Sequence, residues 1–250
     1  MQTKMSKADP PGPGESRFNQ TSEQVIAQIR AMSPRTLLSF SCGKDAIGAH
    51  LAIRDHFDEV VPYYLYLIPG LEFVDESLDY YERTLFGGRR IIRLPHPSLP
   101  RMLNALVFQP PDRVSVMDRL DMAEHDYKDV TDAIKAELGM GDEVMTASGV
   151  RAADSPLRYM HFKKRGAITW TKSQYYPVFD WNKARLAEAI ERAGVKLPVD
   201  YRLFGRTFDG IDLRFLIQIR EHFPRDFQRI LDWFPLAELE LYRYEKRAQA

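Results

Sequence analysis

The chain has 250 residues, 44% hydrophobic and 28% charged, with 35 Lys and Arg balancing 35 Asp and Glu. This is the makeup of a globular chain long enough for one large domain, or one domain with a helical appendage, and it carries no global field favouring nucleic acid or an anionic membrane. Its single cysteine, Cys42, excludes an intrachain disulfide, a cysteine-only metal site and a cysteine-ligated iron–sulfur cluster, and the absence of a bilayer-length apolar run or an N-terminal signal segment predicts a cytoplasmic protein with no membrane span.

Residues 1–19 carry Pro10, Pro11, Gly12, Pro13 and Gly14 among polar side chains and read as a disordered arm. Thr21 or Ser22 then caps a helix with Val25, Ile26 and Ile29 on one apolar face and Glu23 near its start. Thr36–Phe40 is a short apolar run, read as a buried strand. It breaks at Ser41-Cys42-Gly43, after which Ile47, Leu51 and Ala52 recur at helical spacing, predicting a helix over 44–56. A strand, a small-residue turn and a helix make a phosphate cradle. Gly43 lets backbone approach a ligand, and the first helical amides lack internal acceptors while the helix dipole adds positive charge. Lys44 adds a mobile cation, and Asp45 can steer that lysine or hold a magnesium ion. The spacing is not that of a Walker A loop.

Val60–Ile68 predicts a second buried strand, broken by Pro62 near its start and ended by Pro69-Gly70; a helix over 73–86 and a third strand over 90–94 follow. This alternation predicts a doubly wound, mainly parallel α/β sheet. Ligands in such sheets gather beyond the carboxyl ends of the strands, which makes the turns at 41–45 and 69–72 site candidates. Between His96 and Gly139 the pattern is less legible, with helices read over 99–108 and 124–138. The acidic cluster of Asp112, Asp118, Asp121, Glu124 and Asp126 reads as a solvated surface and helix start ahead of a metal site.

Glu143–Ala147 reads as a fourth strand running into Ser148-Gly149-Val150-Arg151, with Asp154-Ser155-Pro156-Leu157-Arg158 opening a helix. Arg151 and Arg158 suit phosphate oxygens; a capped helix with surface arginines is the competing reading. Arg158, His161, Lys163, Lys164 and Arg165, followed by Trp170, Tyr175 and Tyr176, read either as a solvated face over core aromatics or as a single-stranded nucleic-acid surface. Arg206 and Asp209 either close over a ligand or form a salt-bridged turn. Helical spacing returns at Leu213, Leu216 and Ile217 and at Phe227, Ile230, Leu231 and Phe234, with Pro224 and Pro235 at helix starts. The expected organisation is a nucleotide-binding domain over 20–195 and a helical module over 196–250.

Four of these segments resemble a known family. Ser41-Cys42-Gly43-Lys44-Asp45-Ala46 is similar to the Ser-Gly-Gly-Lys-Asp-Ser PP-loop of the adenine nucleotide alpha-hydrolase superfamily, with Cys42 in place of the first glycine and Ala46 in place of the closing serine. Gly149-Val150-Arg151 with Asp154-Ser155-Pro156 and Arg158 resembles the Gly-Ile/Val-Arg-x-x-Glu-Ser-x-x-Arg element of the phosphoadenosine phosphosulfate (PAPS) reductase family. Pro69-Gly70-Leu71-Glu72-Phe73 with Glu76, and Tyr176-Pro177-Val178-Phe179-Asp180-Trp181, resemble two further segments of that family in the same order.

The resemblance implies ATP or a related adenine nucleotide, with adenine beside 65–67 and phosphates over Ser41–Ala46. It implies nucleotide contacts from Ser39, Ser41, Cys42, Gly43, Lys44, Asp45, Ala46, Leu67, Gly70, Gly149, Arg151 and Arg158, and catalytic roles for Lys44, Asp45 and Arg151. It implies magnesium through Asp45 and cleavage between the α- and β-phosphates to adenylylate a second substrate. The chain departs from the reductases in having no cysteine after Cys42, so sulfonucleotide reduction would need a partner's thiol. Ala46 removes a phosphate-binding hydroxyl and leaves open an ATP-binding regulatory or assembly protein without turnover. Nucleic acid held through Arg158, Lys163, Lys164 and Arg165, a second copy of the chain and a partner protein also stay open.

Overall fold

The computed structural model describes residues 18–120 and 122–249. Most of the arm expected over 1–19, and Asp121 of the acidic cluster, lie outside the described residues. In chain order the elements are α1 (Ser22–Met32), β1 (Arg35–Ser39), α2 (Lys44–Ile53), β2 (Glu59–Tyr66), α3 (Glu72–Thr84), β3 (Ile92–Pro95), α4 (Ser98–Asn104), α5 (Pro111–Leu120), α6 (Tyr127–Glu137), β4 (Thr146–Ser148), α7 (Pro156–Arg165), β5 (Ile168–Thr169), β6 (Gln174–Tyr175), α8 (Lys183–Arg192), α9 (Val199–Phe204), α10 (Leu213–His222), α11 (Pro224–Trp233) and α12 (Glu238–Gln249).

The sheet runs β3-β2-β1-β4-β6-β5, with every neighbouring pair parallel except β5–β6. From β1 the chain winds outward through β2 and β3, then crosses back to lay β4 on the other side of β1. The point where the winding reverses therefore lies between β1 and β4. Successive strand residues point to opposite faces, and both faces are covered. Leu37, Val61 and Tyr63 pack with Val130 and Ile134 of α6. On the other face Leu38, Phe40 and Tyr64 join a larger core with α1, α2, α3 and the C-terminal helices. This is the doubly wound, mainly parallel α/β architecture that the alternating pattern predicts.

Pro62 sits mid-sheet opposite Leu38, where a missing N–H usually breaks the ladder. The Tyr63 carbonyl accepts from Phe40 N at 2.8 Å, so residue 62 faces the β3 side. Pairing with β3 begins only at Tyr63–Ile92, and the ring nitrogen of Pro62 meets no strand.

Several boundaries differ from the sequence expectation. The helix read over 99–108 stops at Asn104 because Leu106 and Phe108 take left-handed backbone, with φ of 55° and 52°. The helix read over 124–138 starts at Tyr127, since Asp126 turns its carboxylate back onto the amides of Lys128 and Asp129 as a cap. That use accounts for one member of the acidic cluster, and among the described residues no group of three or more His, Cys, Asp or Glu is placed to hold a metal ion. Helix α5 and the β5–β6 hairpin had no clear signal in the sequence. Among the described residues no helix is long and apolar enough to cross a membrane.

The helices after α8 pack into the same core as the sheet. Phe73 of α3 stacks on Phe223 at 4.8 Å and meets Phe208 edge-on at 5.8 Å. Asp226 of α11 accepts the amides of Glu72 and Phe73 at 2.7 and 3.1 Å, capping α3 from a helix 154 residues beyond Glu72 in sequence.

Candidate functional site

Helix α2 begins differently from most of its neighbours. α1, α6, α7, α8 and α10 carry side-chain caps on their first amides, and α3 borrows Asp226. Gly43, at the N-cap of α2, has no side chain to offer, so the first-turn amides and the positive end of the dipole face the carboxyl edge of the sheet. Gly43 has ordinary backbone, with φ −72° and ψ 157°. Cys42 before it is the strained residue, at φ 61°, in the place where the PP-loop pattern has glycine. Its side chain is 4% exposed. Burial pushes the thiol pKa well above its ordinary value and Asp200 adds to this, while Arg93 opposes it. The cysteine is therefore a buried thiol, without the helix-activated character its position allows.

The turn after β4 is pressed against this loop. A Cβ on Gly149 would lie within 2.6 Å of the Ala46 nitrogen and closer still to the Asp45 carbonyl, so only glycine fits. Arg151, two residues on, is 4% exposed and donates from Nε to Asp45 at 2.5 Å and from Nη2 to Asp154 at 2.7 Å. Its Nη1 is buried with no partner among the described residues. The other oxygen of Asp45 takes Lys44 Nζ at 3.0 Å. Burial works against the Lys44 ammonium, but Asp45 outweighs it and the pKa lies above the ordinary lysine value. Arg158 joins the far side of Asp154 at 2.8 Å. A chain of alternating charges, Lys44–Asp45–Arg151–Asp154–Arg158, thus ties the start of α2 to the start of α7.

Both oxygens of Asp45 are committed to cations. A protein-held magnesium ion does not fit this carboxylate as it stands.

The open volume lies on the β2 side of the loop. A cavity of about 400 Å³ is lined by Ser39, Phe40 and Ser41, by Tyr63, Tyr64, Leu65 and Leu67 of the β2 edge, by His96, Ser98, Met102 and Tyr127, and by residues 207–211 above. Thr207 stands over the loop, its Oγ1 3.5 Å from where a Gly43 Cβ would be. The segment is held down by Asp200 at the start of α9, which accepts the Phe208 amide at 2.7 Å and the Tyr201 amide at 2.8 Å. At the far end the His96 Nδ1 accepts the Ser98 amide at 3.1 Å, which leaves Nε2–H to donate to the Tyr127 hydroxyl at 3.0 Å. Burial, helped by Arg101 and His125, lowers the His96 pKa, so the ring is neutral near pH 7 and the Tyr127 proton is free to donate into the cavity.

Of the residues singled out from sequence, Ser39, Ser41 and Leu67 line the cavity, while Cys42, Gly43, Lys44, Asp45, Ala46, Gly149 and Arg151 form the floor beside it. Gly70 does not line it, its carbonyl being taken by Arg229, and Arg158 sits outward on α7, half-exposed. Arg206 and Asp209 pair with each other, and only Asp209 reaches the cavity wall. His96, Tyr127, Thr207 and Asp200 were not foreseen. Topology offered His96, the first residue beyond β3; no local pattern marks the other three.

No protein-family model matches this sequence, and no curated protein does. Among solved structures, the U34-tRNA thiolase NcsA from Methanococcus maripaludis, determined with its 4Fe–4S cluster, superposes with a TM-score of 0.42 and 10% identity over 87% of this chain and 80% of that one.

Proposed function

We propose that the chain binds ATP or a closely related adenine nucleotide and transfers its adenylyl group to a second substrate. The observation that carries this reading is the junction of an uncapped helix N-terminus with a 400 Å³ cavity at the carboxyl ends of β1 and β2. The phosphates lie over Ser41–Ala46 on the free amides of α2, with Lys44 alongside. The nucleoside lies in the cavity against Leu65–Leu67, beneath residues 207–211. An acceptor oxygen or nitrogen attacks the α-phosphorus, the bond to the bridging oxygen of the β-phosphate breaks, and pyrophosphate leaves with the electron pair. Lys44 and the loop amides stabilise the charge that develops on that leaving group. Arg151, being buried between two carboxylates, holds Asp45 and so aims Lys44. Nucleotide binding that breaks the Lys44–Asp45 contact transfers the ammonium to phosphate.

One observation favours a second reading, nucleotide binding without turnover. Ala46 puts a buried methyl where the PP-loop pattern places a hydroxyl. The reductase alternative has no support in the thiol, because Cys42 is buried and its pKa is pushed up.

The test is incubation of the purified protein with magnesium and ATP labelled at the α-phosphate. Release of AMP or an adenylylated product together with pyrophosphate, lost in Lys44→Met, is the expected result. ATP that binds and returns unchanged with every acceptor class tried supports the second reading. A protein that binds neither ATP nor PAPS overturns both.

A further inference from the structure

Charge in this neutral chain is unevenly placed. From Ser155 to Phe179 there are five Lys and Arg and no Asp or Glu. That stretch is α7 and the β5–β6 hairpin. Phe162 is buried and packs on Tyr176 and Phe179 at 5.2 and 5.4 Å, which fixes the inner face of α7. Leu157, Met160, His161 and Lys164 recur at helical spacing on the other side, all exposed. Leu157 is 84% exposed, Met160 59%, and Trp170 at the hairpin turn 54%. The fold has no use for these three, since none packs into the core. Lys163, Lys164 and Arg165 crowd the end of α7 and Lys172 follows on the hairpin, so like charges gather there, and among the described residues none of the four forms an ion pair.

We infer that the α7–hairpin surface binds single-stranded nucleic acid. The four cations at and beyond the end of α7 contact phosphates, and Trp170 offers an exposed ring for a base to stack on. Charge complementarity selects a polyanion. Placement favours a strand over a flat anionic bilayer, because the ion-pair chain from Arg158 through Asp154 and Arg151 to Asp45 sets the start of α7 beside the phosphate loop. A strand lying along α7 therefore has one end at the turn that abuts the phosphate loop. The inference deepens the adenylyl-transfer reading by naming the acceptor class and rests on it for that role alone; the binding itself is tested without ATP.

The experiment is fluorescence anisotropy of labelled 15-mers of uridine and of thymidine against the full chain, with anionic phosphatidylserine vesicles as a third arm. Binding of either oligonucleotide is expected to weaken about 50-fold between roughly 50 and 200 mM salt, the slope for about four phosphate contacts. Lys163→Glu/Lys164→Glu is expected to weaken it at least about tenfold. Trp170→Ala is expected to cost about tenfold with little change in the salt slope. Unchanged thermal melting of both variants keeps the comparison clean. No binding at low salt, binding indifferent to both variants, or vesicle binding without oligonucleotide binding overturns the inference. Oligonucleotide binding by a protein that never cleaves ATP would sink adenylyl transfer and leave this surface standing.

Discussion

Gly149 and Gly43 both stand in the floor of the candidate site, and they are there for different reasons. At Gly149 a Cβ meets the backbone of Asp45 and Ala46, which cannot step aside. Gly149→Ala is therefore expected to cost about 3 kcal/mol and to part the two turns, so stability in urea and ATP binding fall together. At Gly43 the nearest atoms to a Cβ are Ser41 Oγ at 3.4 Å and Thr207 Oγ1 and Cγ2 at 3.5 and 3.7 Å, ordinary contacts, and the backbone is ordinary too. Gly43→Ala is expected to unfold within about 0.5 kcal/mol of wild type yet bind ATP at least tenfold more weakly, because the methyl stands where phosphate must approach. Equal ATP affinity in this variant would remove the phosphates from the loop. Cys42 supplies a third contrast. Its left-handed φ is tolerable for an unbranched side chain and poor for a β-branched one. Cys42→Val should lose about 2 kcal/mol or more in urea melts, and the native thiol should be silent to a disulfide reagent until the protein unfolds.

Helix α3 shows how the C-terminal helices take part in the sheet domain. Its N-terminus faces the same sheet edge as that of α2, and from sequence the two turns are equivalent site candidates. Asp226 decides between them by putting a carboxylate, 2% exposed, on the α3 amides, so one anion position is filled from within and the other is left for a ligand. Asp226→Ala is expected to cost about 2 kcal/mol, and Asp226→Asn about half of that, since an amide oxygen still accepts but carries no charge for the dipole. Chemical denaturation of the three proteins checks the order. Asp226 also marks where sequence reading stops. β1, the turn and α2 are legible because an apolar run, three small residues and a helical period follow one another within 18 residues of chain, from Arg35 to Ala52. The cavity wall is not, because Tyr63, His96, Tyr127 and Thr207 come from four separate segments joined only by the fold. The hairpin was missed for another reason: strands of two residues are too short to show a period of two.

At the scale of the whole molecule, the balance between buried polar groups and water sets how stability answers to pH. His50, on α2 behind the phosphate loop, is 4% exposed. Its Nε2–H donates to the Leu85 carbonyl at 3.1 Å, its Nδ1 is buried with no partner among the described residues, and Phe86 lies against the ring. Burial holds its pKa down at about 4, against about 6.5 in an unfolded chain. Between these values the unfolded state binds a proton that the folded state refuses, so the stability His50 contributes is present above pH 6.5 and is lost as pH falls, with a slope approaching 1.4 kcal/mol per pH unit, a value of about that size following from linkage. Glu59 and Glu82 are held below their ordinary values, Glu59 chiefly by Arg89 and Glu82 by Arg90 and the Ile91 amide against the pull of burial. Their contributions are lost only below about pH 4.5. Asp200 is pushed the other way by burial, against the amides of Phe208 and Tyr201, and gives back a little stability as acid is added. The net expectation is a decline that starts near pH 6.5, about two units before the carboxylates begin to titrate, with His50 the larger contributor and His96, also lowered by burial, adding to it. Urea midpoints at pH 7.5, 6.5 and 5.5 test it against His50→Gln, whose amide can still donate toward Leu85. The variant is expected to start less stable and to decline less steeply over this window, the slope that remains being that of His96, whose pKa burial also lowers. A parallel decline in both proteins would place the titrating group elsewhere.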